Sequence, residues 1–221
     1  MATDERDTFM KTIKREILKV AMFGLMFPLT FVIFMLIIGW AGVRSGYWLS
    51  MSIYWVIIIA FTLYFLGFRG IRKLYQPDKS APQIWGWLAF IPVIATFFVS
   101  FLPSFFHLKM SLMILTISTG VINGTCEELF WRGLTLTTEN KYKSLVIAAS
   151  LIGFGFWHFT LARIDGLKYQ GGIGALIGGA IFMGILWQFV TTKTKNILYS
   201  TVAHILVNIF AFSAMILANW Q

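Results

Sequence analysis

MSLMILTISTGVINGTCEELFWRGL, residues 110–134, has the length and apolar content of a bilayer-crossing segment, yet it closes on Glu127, Glu128 and Arg132. A spanning helix needs about 20 mainly apolar residues. A charge at bilayer depth costs roughly 2.5–3.5 kcal/mol on insertion scales, so an intramembrane carboxylate marks a functional site by default. The chain has nine acidic residues, and Asp4, Glu5, Asp7, Glu16, Asp78, Glu139 and Asp165 lie in the N-terminal tail or in polar connections. Only Glu127 and Glu128 fall inside a stretch that reads as membrane-spanning.

Outward from that stretch, the 221 residues are 58% hydrophobic, 17% aromatic and only 12% charged. The apolar residues come in long runs, which excludes an ordinary soluble domain. The composition predicts an all-α polytopic membrane bundle, one domain over residues 1–221. By length, spans are expected near 20–40, 49–68, 84–102, 110–134, 144–162, 171–190 and 197–219, seven in all. Phe9, Ile13 and Ile17 recur among the basic residues of 1–19, as in a tail or a short helix lying on the inner leaflet. Pro77 and Pro82 break the main polar linker. The N-terminus does not read as a cleavable signal peptide. Cys126 is the single cysteine, so no intrachain disulfide can form.

The net charge of +9 would suggest nucleic acid for a soluble chain. Here basic loops on one side of a membrane explain it. Thirteen lysines and arginines fall in the tail and in the connections 69–83, 135–143 and 191–196, against Arg44, Lys109, Arg163 and Lys168 on the opposite side. That bias puts the N-terminus in the cytoplasm and the C-terminus outside. Gly174 and Gly178, and Ala180 and Gly184, are four apart, a spacing that lets membrane helices approach closely.

Residues four apart share a helix face, so Glu128 and Arg132 are expected to pair. Glu127 is turned about 100° from Glu128 on an α-helix, which separates their roles. Asn123 lies on the face of Glu127 and is placed to hydrogen-bond it. Of three histidines, His107 reads as a surface residue, while His158 and His204 lie inside spans, with Asn208 on the face of His204. One polar residue within a span is ordinarily a helix–helix hydrogen bond. Such residues on three spans predict a polar intramembrane cavity, set below the cytoplasmic surface if depths are counted from the helix ends. Cys126 reads as a small buried hydrophobe and Gln188 as a packing hydrogen bond. The many Trp and Phe residues read as mostly lipid-facing or interfacial.

Glu127-Glu128…Arg132, Phe154…His158 and His204…Asn208, in that order on successive late spans, together resemble the CAAX protease and bacteriocin-processing (Abi) family of intramembrane endopeptidases. The resemblance covers residues 108–219. It implies hydrolysis of a peptide bond in a membrane-associated or lipidated peptide by glutamate-activated water, without a cofactor. Glu127 would be the general base and His158 would help hold the water. His204 and Asn208 would form the oxyanion site, with Glu128, Arg132, Phe154 and Asn123 in support. Eukaryotic relatives cut prenylated C-terminal tails. The short N-terminus points instead to a prokaryotic cell membrane, where relatives serve bacteriocin maturation or self-immunity. Expected partners are the lipid bilayer and an anchored substrate, not nucleic acid. Two alternatives stay open. One is a metal-dependent protease with Glu and His ligands to zinc, although no His-Glu-x-x-His pair occurs and Arg132 disfavours a cation at Glu128. The other is a non-proteolytic immunity or proton-relay protein.

Overall fold

The computed structural model describes residues 2–221, with side chains from Asp7 onward. Among these residues all regular structure is helical. Helix α1 (Ala2–Leu74) is non-helical at Gly42 (φ 74°) and Gly67 (φ 58°). At 1.5 Å per residue an unbroken helix of this length would far exceed the ~30 Å hydrocarbon core. Positive φ at Gly42 is the conformation glycine adopts without a steric penalty. The chain folds back there, so closely that a Cβ on Gly46 would lie 2.7 Å from Ile38 Cα. A 3₁₀ segment (Gln83–Phe90), α2 (Ile91–Thr96), a π turn (Phe97–Phe101) and α3 (Leu102–Phe105) form the next rod. Then come α4 (Met110–Glu127), a π segment (Glu128–Gly133) and α5 (Leu134–Leu136). Helices α6 (Lys143–Ala162), α7 (Gly172–Thr194) and α8 (Leu198–Trp220) complete the bundle.

The expected all-α membrane bundle is what forms. Among the described residues five helical stretches are long and apolar enough to cross a membrane, Asp7–Leu74, Gln83–Phe105, Lys143–Ala162, Gly172–Thr194 and Leu198–Trp220, so seven separate spans are not confirmed. The first contains both of the first two expected spans, joined through Gly42. The stretch 110–134 drops out because its own polar residues lower its hydropathy. The residues from Ala2 to Lys19 continue into the helix of the first span. Lys19 and Glu16 are buried, and Lys19 Nζ donates to Glu16 Oε1 at 3.0 Å, Thr138 Oγ1 at 3.1 Å and the Thr137 carbonyl at 3.3 Å. α1 is thereby tied to the end of α5.

Small residues do bring helices together, at one of the two expected pairs and at one not singled out: Ala180 is buried and a Cβ on Gly184 would lie 2.9 Å from Phe154 Cδ1 of α6. A Cβ on Gly174 or Gly178 would meet nothing within 4 Å, so that pair makes no helix contact. Gly120 and Gly124 do: added Cβ atoms would lie 2.6 Å from Ile209 Cγ1 and 2.8 Å from Ile205 N of α8. Gly-x-x-x-G pairs allow this approach between membrane helices. Gly153 meets the Phe23 carbonyl in the same way, at 2.5 Å. Most Trp and Phe residues are exposed or half-buried, as expected, with a buried minority. Trp40, Phe68 and Trp87 are exposed, but Trp131, Trp157 and Trp187 are fully buried. They pack around the carboxylates, where indole N–H groups find acceptors.

Candidate active site

Glu127 ends α4 and Glu128 opens the π segment. Single π turns inside α-helices are uncommon and frequently mark functional sites. Both carboxylates are buried, as is Arg132. Arg132 Nη1 is 3.1 Å from Glu128 Oε1, the expected pair. Its guanidinium also lies over the Phe154 ring, 4.2 Å from the centroid. Burying an ion is far less costly beside an opposite charge and an aromatic face.

Glu127 lines the cavity described below and Glu128 does not, yet one side chain reaches both. His204, from α8, touches both: Nδ1 is 2.9 Å from Glu128 Oε1 and Nε2 is 3.4 Å from Glu127 Oε2. The two nitrogens of one imidazole span these neighbouring side chains. The His204 ring itself packs on Trp187 at 4.4 Å.

Glu127 Oε1 accepts hydrogen bonds from the Tyr54 hydroxyl at 2.9 Å and from Trp157 Nε1 at 3.0 Å. Its Oε2 is buried and has no hydrogen-bond partner. Asn123 does not bond Glu127. Its Oδ1 accepts from Trp55 Nε1 at 2.8 Å, because that indole N–H needs an acceptor of its own. His158 Nδ1 is 2.8 Å from the Phe154 carbonyl. Donation there leaves Nε2 of the neutral ring as an acceptor. Asn208 is buried, and its Nδ2 has no partner.

Glu127, Asn123, Phe154, His158, His204 and Asn208 all line one cavity of about 370 Å³. Its remaining wall is mostly apolar, including Met51, Leu161, Met183 and Phe212. The wall also includes Tyr169, Gln170 and Gly171 of the connection between α6 and α7. The cavity therefore reaches toward the end opposite the one expected from helix depths. The other end is stitched shut: Ile197 N–H donates to the Leu74 carbonyl at 2.9 Å, Asn196 Nδ2 to Gln83 Oε1 at 3.0 Å, and Lys195 Nζ lies 3.2 Å from Asp78 Oδ2. Two hydrogen bonds from Ser80, and then Lys195, hold the exposed Asp78 carboxyl down at about 2. Burial pushes the Tyr169 phenol up.

His107 is exposed and Cys126 is buried and free, as expected. Gln188 Nε2 donates to Thr135 Oγ1 at 3.1 Å, a packing bond. Among the described residues, no group of three or more His, Cys, Asp or Glu is arranged to hold a metal ion. Sequence reasoning missed Tyr54, Trp55, Trp131 and Trp157. Trp157 sits beside the singled-out His158, but nothing in the pattern of α1 distinguished Tyr54 from its apolar neighbours.

Comparison with known proteins agrees with the motif resemblance. Residues 109–210 match the family model described as Type II CAAX prenyl endopeptidase Rce1-like. No curated protein and no solved structure matches the chain.

Proposed function

From the premise that residues 109–210 belong to the Type II CAAX prenyl endopeptidase Rce1-like family, we propose that this membrane endopeptidase acts through Glu127 as a water-activating base. The observation that carries the reading is the convergence of Glu127, His158, His204 and Asn208, from three helices, on one cavity. Amide hydrolysis needs a base for water and donors aimed at the developing oxyanion. Glu127 Oε2, buried and unpartnered, takes the proton from a water that His158 Nε2 helps hold. That water attacks the scissile carbonyl. The unpaired Asn208 Nδ2 donates to the oxyanion, and His204, oriented by Glu128, stands beside it. Glu127 then returns the proton to the leaving amine. Arg132 balances the charge of Glu128 throughout. No residue in this scheme requires a metal, and elemental analysis of active protein is expected to find none in stoichiometric amount.

The substrate we infer is a membrane-associated or lipidated peptide. The mostly apolar wall around the polar cluster favours a chain that carries apolar groups into the cavity. The positive-charge bias favours a topology with the N-terminus inside.

The test compares membrane peptides from cells carrying the intact protein with those carrying Glu127→Gln. Precursors should accumulate in the variant. Identical peptide profiles, with both proteins present at equal levels, would contradict the reading.

A further inference from the structure

The two oxygens of Glu127 are treated differently by their surroundings. Oε1 receives two donors from two elements, the Tyr54 hydroxyl of α1 and Trp157 Nε1 of α6. Oε2 receives none and faces His204 Nε2 at 3.4 Å. The direction of the Tyr54 bond is fixed as well. Trp131 Nε1 donates to the Tyr54 oxygen at 3.2 Å, and a phenol has a single O–H, which is left for Glu127. The Tyr54 and Trp157 rings stack at 4.0 Å and 19°, so the two donors are held side by side. Tyr54 is almost fully buried, which removes water as a competing partner.

We propose that Tyr54 is a positioning residue, holding Glu127 through Oε1 so that Oε2 alone is presented to the attacking water. The inference rests on the base role of Glu127. A carboxylate free to rotate would offer either oxygen at a poorer angle, and misplacement of about 1 Å can cost roughly 10²-fold in rate. Tyr54 touches no reacting atom. Its effect should therefore fall on the chemical step rather than on substrate binding.

The experiment is steady-state cleavage by the full chain in detergent or vesicles, comparing wild type, Tyr54→Phe and Glu127→Gln. Tyr54→Phe keeps the ring and its stack and removes only the hydroxyl. Its kcat should fall by about 10- to 100-fold, within the loss misplacement can cause, while KM stays within about twofold. Wild-type kcat in Tyr54→Phe, or a change confined to KM, overturns the proposal. If Tyr54→Phe does not fold, Tyr54→3-fluorotyrosine decides, since it keeps ring and hydroxyl and alters only donor strength. A changed kcat at constant KM supports the role, and an unchanged kcat removes it. An active Glu127→Gln would sink the base role itself. An inactive Glu127→Gln beside a fully active Tyr54→Phe sinks only the role of Tyr54.

Discussion

Asn208 Nδ2 is a buried donor with no partner, although buried polar groups are nearly always satisfied and a missing partner costs about 1–3 kcal/mol. A donor kept free at the edge of the cavity fits a group that bonds only while an oxyanion exists. Asn208→Ala should lower kcat by about 10²–10³, the usual loss for one oxyanion donor, with little change in thermal midpoint. A parallel fall in midpoint would mark it as structural instead. At this scale the sequence is a good guide to the polar groups that converge on the cavity. The three motifs name Glu127, His158, His204 and Asn208 because ionisable and amide groups are rare within spans. It is a poor guide to what holds them. Tyr54 and Trp157 are aromatic residues in an aromatic-rich chain, and only their contacts with Glu127 Oε1 separate them from lipid-facing rings. Asn123 shows the limit of face arguments: it shares a face with Glu127 yet is claimed by Trp55.

α4 and α8 carry the two halves of the proposed chemistry, and Gly120 and Gly124 let their backbones meet. At Gly124 a side chain would press on the Ile205 backbone, beside His204. Gly124→Val should therefore destabilise the protein by about 1–3 kcal/mol, as overpacking does, and displace α8. Thermal unfolding in detergent measures it, and an unchanged midpoint would show that the helices can part without loss. The Gly-x-x-x-G spacing at 120–124 is legible in the sequence. The similar spacing at 174–178 misleads, because spacing says nothing about which face meets a neighbour. The π segment is not legible at all. An α-helical reading of Glu127 and Glu128 turns them apart, yet one imidazole reaches both.

Across the whole molecule, composition was enough to read an all-α membrane bundle, because runs of apolar residues leave few other solutions. The number of spans is harder, since only a break at Gly42 parts two of them and polar residues thin a third. The end toward which the cavity extends was not readable, because it depends on contacts between connections distant in sequence. The cavity reaches Tyr169–Gly171, on the side with few basic residues. With the N-terminus inside, that side faces out. Lys168→Cys should then react with a membrane-impermeant thiol reagent in intact cells, and Lys79→Cys only after the membrane is opened. The reverse pattern would invert the topology. The proposed role of Glu127 is to activate the water that hydrolyses a peptide bond inside this bundle. Its most direct measurement is cleavage of a membrane-anchored peptide by purified protein in vesicles, in water enriched in oxygen-18. Wild type should yield a new C-terminus carrying one heavy oxygen, and Glu127→Gln should be slower by about 10²–10⁴. Cleavage by Glu127→Gln at the wild-type rate would contradict the account.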